Sequence, residues 1–148
     1  MPLPEDWRGF IESLNSHNVE YLIVGAVALA HHGVPRYTAD LDILIHNSAA
    51  NAQRVEAALQ SFGFGAPGFK TSDFENSYQV IQLGVPPCRI DLLTSISGVT
   101  FDEAWKGRVE TEVDGLRANF IGRDTLIQNK RASGRPRDKA DLDALGAS

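Results

Sequence analysis

One short run constrains this chain more than any other: Asp40-Leu41-Asp42-Ile43-Leu44-Ile45, two acids inside an apolar segment. Branched and bulky residues make the run a strand, and along a strand residues i and i+2 point to one face. Asp40 and Asp42 therefore face together, while Leu41 and Ile43 turn to the other side. Two carboxylates so placed repel one another and lose hydration, which is costly unless a cation lies between them. Hard oxygen ligands at this spacing suit Mg²⁺ or Mn²⁺. A third acid, Asp91, stands alone in a second apolar run, Arg89-Ile90-Asp91-Leu92-Leu93. If the two strands pair, their backbones lie ~5 Å apart and the three acids can converge. Three such carboxylates can hold two metal ions roughly 4 Å apart, one activating an attacking hydroxyl and one steadying a leaving pyrophosphate.

A glycine upstream fits the same chemistry. The bulky run Tyr21–Val24 reads as a buried strand, Gly25 ends it, and alanine-rich residues 26–32 read as a helix stopped by Gly33. A strand, a glycine and a helix N-terminus present free N–H groups to a phosphate, and glycine has no side chain to block close approach.

The remaining elements follow from periodicity and turn chemistry. Trp7, Phe10, Ile11 and Leu14 recur at helical spacing and predict a helix over 4–17. Val34 to Ala39 is a loop. Ser48 caps a third helix to Phe62, with Val55, Ala58 and Leu59 on its inner face. A glycine-rich loop over 63–72 and strands over 78–83 and 89–94, split by Pro86 and Pro87, come next. Residues 101–106 form a helical turn. Strands over 108–113 and 116–121 flank the hairpin pair Asp114-Gly115. Thr125 and Gln128 fit a capping box for a helix ending near Ser133 and Gly134, and Pro136 opens a last helix to Leu145. Without repeat or linker, residues 1–148 read as one α/β or α+β domain.

Composition narrows the class. At 43% hydrophobic and 22% charged residues, the chain is of ordinary globular make-up. Its longest near-continuous apolar run, residues 21–30, is half the ~20 residues needed to cross a bilayer, so no membrane helix is expected. The start, MPLPEDWRGF, lacks the form of a signal peptide, and a cytoplasmic location is expected. Cys88 is the single cysteine, which excludes an intrachain disulfide and a Cys-based zinc site. The net charge of −5 argues against a general nucleic-acid coat, but it is uneven. Between Arg123 and Lys139 six basic residues stand against Asp124 and Asp138, so that segment carries +4 and the rest −9.

Taken in order, Gly25-Ala26, a helix, Gly33, Arg36, Thr38 and Asp40-Leu41-Asp42 resemble the signature of the DNA polymerase β-like nucleotidyltransferase superfamily. More narrowly, the pattern is similar to minimal and abortive-infection-type bacterial nucleotidyltransferases. Asp91 matches the family's third acid. Lys130, then Arg135-Pro136-Arg137-Asp138 and Asp141, match its C-terminal lysine and following helix start. The family's second position is often Ser or Gly; here it is Ala26, which keeps the backbone N–H but offers no hydroxyl.

The resemblance implies a small mixed sheet carrying the acids, helices packed on it, and a C-terminal helical hairpin closing a nucleotide cleft. It implies transfer of a nucleoside monophosphate from an NTP to a hydroxyl, with release of pyrophosphate. Asp40, Asp42 and Asp91 would ligate Mg²⁺ or Mn²⁺, and Asp91 would help deprotonate the acceptor. Gly25, Ala26, Arg36, Thr38 and Lys130 would line the nucleotide site. The acceptor stays open among a transfer RNA end, a Tyr or Ser of a partner protein, and a small metabolite or antibiotic. A chain this small leaves acceptor choice to a partner or a homodimer. The alternative is a non-catalytic module that keeps the fold, such as one half of a toxin–antitoxin pair; an RNA-binding protein without catalysis rests only on the basic tail.

Several residues carry two readings. Arg36 bridges a neighbouring carboxylate or contacts a phosphate. Thr38 is a loop hydroxyl bonding backbone or a site residue. Asp91 is a metal ligand or a core acid paired to Arg89 or Arg36. Lys130 is a phosphate-binding cation or a solvated helix lysine, and Asp141 is its partner or a catalytic acid. Arg135 and Arg137 bind an acidic co-substrate such as RNA, or pair with Asp138 and Asp141. His31-His32 point about 100° apart on a helix, which disfavours chelation. Gly63-Phe64-Gly65-Ala66-Pro67-Gly68 matches a dinucleotide fingerprint in letters, but it follows a helix and contains Pro67.

Overall fold

Buried apolar faces organise the chain around one mixed sheet. The computed structural model describes residues 3–63 and 69–147. Helix α1 (Glu5–Ser16) buries Trp7, Phe10, Ile11 and Leu14, the expected stripe. Strand β1 (Tyr21–Val24) is buried at every position, because it lies inside the sheet with neighbours on both sides. Helix α2 (Gly25–His31) follows at once, then β2 (Asp40–Ile45) and α3 (Ala49–Phe62). Ser48 caps α3, its hydroxyl accepting from the Asn51 N–H, a contact of about 1 kcal/mol. The α3 residue Phe62 meets Phe10 of α1 edge to face at 5.5 Å.

Strands β3 (Val80–Leu83) and β4 (Arg89–Leu93) precede α4 (Phe101–Lys106). Strands β5 (Val109–Val113) and β6 (Leu116–Phe120) form a hairpin. Asp114 and Gly115 both take positive φ, 55° and 77°, as a type I′ turn requires. Helices α5 (Arg123–Ser133) and α6 (Pro136–Ala144) pack on each other. The sheet order is β3-β4-β2-β1-β6-β5. The β2–β4 and β1–β6 pairs are parallel and the others antiparallel. No described helix is long and apolar enough to cross a membrane.

Local expectations failed in a few places, each for a physical reason. Helix α5 starts at Arg123, ahead of the Thr125–Gln128 capping box. Gly122 takes the cap, where an added Cβ would lie 2.2 Å from the Gly107 carbonyl oxygen. Thr125 instead donates to the Gly122 carbonyl, and the Gln128 amide to that of Gly98. A true capping box lies at Thr100 and Glu103, opening α4. Where the glycine-rich loop was expected to end, Thr71–Phe74 forms a 3-10 helix that buries Phe74. The rest of the Gly63–Gly68 fingerprint, residues 64–68, lies outside the described residues. Strand β3 starts at Val80 because Tyr78 sits at φ 61°.

Candidate active site

Strand pairing brings the acids together. Parallel β2 and β4 set Asp42 directly beside Asp91 and Asp40 beside Arg89. Alternation then puts all four side chains on one face. Antiparallel β1 places Val24 opposite Asp42, and the chain turns off the strand at Gly25 with φ 67°. A Cβ there would sit 2.2 Å from Asp42 Oδ2. Glycine is thus required twice, by its dihedral and by the carboxylate against its backbone.

The acids are poorly compensated. Burial, then the charges of Asp91 and Asp40, push the Asp42 carboxyl up from 3.8 to about 6. Asp91 is 7% exposed, not open to solvent, and its Oδ1 has no hydrogen-bond partner. Arg89 Nε lies 3.1 Å from Asp40 Oδ1 and 3.2 Å from Asp91 Oδ1. The expected convergence on one point is therefore not present. The guanidinium stands between two of the acids, and among the described residues no three metal-ligating side chains gather about one centre. The donor set still fits a hard divalent cation. It is all carboxylate oxygen, one buried oxygen is unsatisfied, and three carboxylates share the single cation Arg89.

Opposite the acids stands the α5–α6 hairpin. One cleft is lined by Gly25, Ala26, Arg36, Thr38, Asp40 and Asp42 together with Lys130, Arg135, Arg137, Asp138 and Asp141. Asp138 and Asp141 are each 1% exposed. Lys130 Nζ lies 2.8 Å from Asp141 Oδ2 and 3.6 Å from Asp138 Oδ1. Arg36 Nη2 donates to the other Asp141 oxygen. Arg135 donates to Asp138 through its backbone N–H at 3.2 Å and its Nε at 2.9 Å. Burial alone would raise the Asp138 carboxyl; hydrogen bonds from Arg135 and Ser133 outweigh it and hold the group at about 2.

No family model matches the chain, and no curated protein matches it in sequence. Among solved structures it is similar to a Thermotoga maritima protein assigned as a nucleotidyltransferase. The TM-score is 0.63 at 18% identity, covering 97% of this chain and 94% of that one. It is also similar to an antigenic nucleotidyltransferase-like protein from Paracoccidioides brasiliensis, with TM-score 0.54 and 18% identity over 99% of this chain and 77% of that one. This chain has the nucleotidyltransferase fold.

Within that fold the sequence-predicted residues fall as follows. Gly25, Ala26, Arg36, Thr38, Asp40, Asp42 and Lys130 line the cleft, and Asp91 is buried beside Asp42. Lys130 is not a solvated lysine: it is 7% exposed and held by two carboxylates. Arg36 takes the ion-pair role, with Asp141. Thr38 Oγ1 bonds the backbone of Asp40, donating to its carbonyl and accepting from its N–H. His31 stacks on Phe120 at 4.2 Å, and the His32 Nε2 contacts the Ile121 carbonyl at 2.8 Å, so the histidines serve separate packing roles. The two tail arginines part company: Arg135 pairs with Asp138, while Arg137 lines the cleft and makes no ion pair among the described residues. Sequence reasoning missed Asp138 as the second carboxylate on Lys130. Its signal was spacing, since Asp138 and Asp141 stand three apart and share one face of α6.

Proposed function

We propose that the chain is a metal-dependent nucleotidyltransferase, moving a nucleoside monophosphate from an NTP to a hydroxyl acceptor. One observation carries this reading: the parallel register seats Asp42 against Asp91, with Asp40 on the same face, beneath a glycine whose missing Cβ makes room for the Asp42 carboxylate. Asp40, Asp42 and Asp91 would hold Mg²⁺ or Mn²⁺. When bound, the metal supplies Lewis-acid charge to the phosphates and to the acceptor oxygen. The backbone at Gly25 and Ala26 lets the triphosphate approach closely. Arg137 adds positive charge at the cleft mouth, and Lys130 keeps the hairpin over the site. Asp91 would help take the acceptor proton as the acceptor oxygen bonds to the α-phosphorus and pyrophosphate leaves. Catalysis is then mostly positioning and electrostatics.

The acceptor classes in question are an RNA end, a side-chain hydroxyl of another protein and a small metabolite or antibiotic. A second reading is a non-catalytic member of a toxin–antitoxin pair. Two observations favour it: Ala26 offers the cleft no hydroxyl, and Lys130 and Arg36 are already engaged by Asp141. Incubation with each labelled NTP, Mg²⁺ or Mn²⁺, and cell RNA or protein separates the two. Label transfer by the native chain and its loss in Asp42→Asn are expected. No transfer to any acceptor, with NTP binding retained, selects the second reading.

A further inference from the structure

Carboxylates in this molecule are held by cations in two ways. On the hairpin the contacts are directed. Lys130 Nζ donates to Asp141 at 2.8 Å, and Arg135 reaches Asp138 through Nε at 2.9 Å and Nη2 at 3.3 Å. On the strands the closest contact is one of charge alone. Arg89 Nε lies 3.1 Å from Asp40 Oδ1 and 3.2 Å from Asp91 Oδ1, yet it donates to neither. Among the described residues four buried side-chain polar atoms lack a hydrogen bond, and two of them are this pair, Arg89 Nε and Asp91 Oδ1. The guanidinium's one hydrogen bond to these acids is long, Nη2 to Asp91 Oδ2 at 3.3 Å. An ion pair without directed bonds separates more easily than one that has them. A way out is also present. Arg89 opens β4, and its side chain is 30% exposed. Carried one step past the Leu83–Ile90 pair, the antiparallel register sets Gly84 opposite Arg89. Glycine has no side chain to hold the guanidinium down.

We propose that Arg89 is a displaceable stand-in cation: its guanidinium holds Asp40 and Asp91, yields their oxygens to a divalent metal ion, and swings toward Gly84 as it does so. This rests on the reading of the strand acids as metal ligands. Guanidinium and metal cannot share Asp40 Oδ1 and Asp91 Oδ1, because two cations at the same oxygens repel each other. Arg89 therefore does two things. It makes the buried acids tolerable to the fold without metal, and it keeps the affinity of the bare chain for metal low, since each binding event first evicts a charge.

Mn²⁺ titration of the full chain, followed by the paramagnetic resonance of the free ion, reads the competition. Arg89→Gln should bind Mn²⁺ at least roughly tenfold more tightly than the native chain, about the effect of one charge contact. Arg89→Lys keeps the charge and should stay near the native affinity. Without Mn²⁺ the urea midpoint of Arg89→Gln should fall below that of the native chain, and Mn²⁺ should restore it. A second measurement leaves the charge in place and decides even where Arg89→Gln does not fold. In protein labelled with ¹⁵N at arginine, the Arg89 Nε–H signal, identified by its loss in Arg89→Lys, should exchange slowly with water because Nε is buried. Mg²⁺ should make that exchange fast. Equal Mn²⁺ affinity in the native chain and Arg89→Gln, or an Nε–H that stays protected while Mg²⁺ binds, overturns the proposal and spares the ligand role of the acids. Weaker binding by Arg89→Gln makes the arginine a prop for the ligands and overturns the proposal too. Binding that survives Asp42→Asn unchanged, or no binding by either the native chain or Arg89→Gln, overturns the ligand reading and the proposal with it.

Discussion

Four carboxylates line one cleft and a fifth, Asp91, is buried beside Asp42, and the five live under opposite conditions. Asp40, Asp42 and Asp91 on the strands share one arginine, and Asp42 is driven up to about 6. Asp138 and Asp141 on the hairpin are more deeply buried, yet Lys130, Arg36 and Arg135 surround them, and Asp138 is held at about 2. Depth of burial therefore does not sort these acids; the supply of positive charge does. The strand acids are left short of a cation, as a ligand site would be. The hairpin acids have theirs from the protein, as structural residues do.

The largest expected effect tests the hairpin half. Lys130→Ala removes the cation from between two buried carboxylates and should lower stability by about 3–5 kcal/mol in urea unfolding. A loss below about 1 kcal/mol would mean that Arg36 and Arg135 suffice, and the contrast between the two halves would break.

Asp42→Asn should do the reverse in metal-free protein. It should stabilise the fold at pH 7 by roughly 2–3 kcal/mol, since a raised carboxyl is ionised there at a cost. The native state holds the Asp42 proton more tightly than the unfolded chain, so stability should fall as pH rises from 3.8 through about 6. The uncharged amide of that variant should flatten this window. The Asp138 contribution has the other sign: it is present above 3.8 and is lost as pH falls toward about 2. Urea titrations of both proteins across the acid range to neutrality would read the two slopes. An unaltered slope over the Asp42 window in Asp42→Asn would place the liability elsewhere.

Nucleotide sharpens the same contrast. NTP with Mn²⁺ should raise the melting temperature of the native chain and leave that of Asp42→Asn nearly unmoved. The smallest effect on stability belongs to Arg137→Ala, within about 0.5 kcal/mol, because the side chain is exposed and unpaired. Its transfer rate should nonetheless fall roughly tenfold at fixed NTP, about the worth of one charge contact to phosphate. A stability loss as large as that of Lys130→Ala would show that Arg137 is a structural counter-ion too.

The strand acids were legible in the sequence because alternation is local: Asp40 and Asp42 must share a face, and a lone Asp91 in an apolar run has few places to go. Gly25 was legible as a turn, although its contact with Asp42 depends on how β1 and β2 register. The pairing of Lys130 with Asp141 was one of two readings the sequence offered, but the burial of the lysine was not legible. Helical periodicity does not say which face of α5 meets α6, and the lysine reads as exposed until Asp138 and Asp141 are seen behind it. The misplaced capping box at Thr125 has the same origin. The close approach of Gly107 to Gly122 set the helix start where local propensity did not.

Asp141 also fixes an order of assembly. It binds Arg36, 105 residues earlier in the chain, and Lys130 on the preceding helix. Contacts of such separation close late, after local helices and hairpins have formed. During synthesis, the ribosome must pass α6 before the hairpin wall of the cleft can exist. Until then the emerging chain holds the three strand acids without the hairpin over them, and the proposed nucleotide site has only one of its two walls.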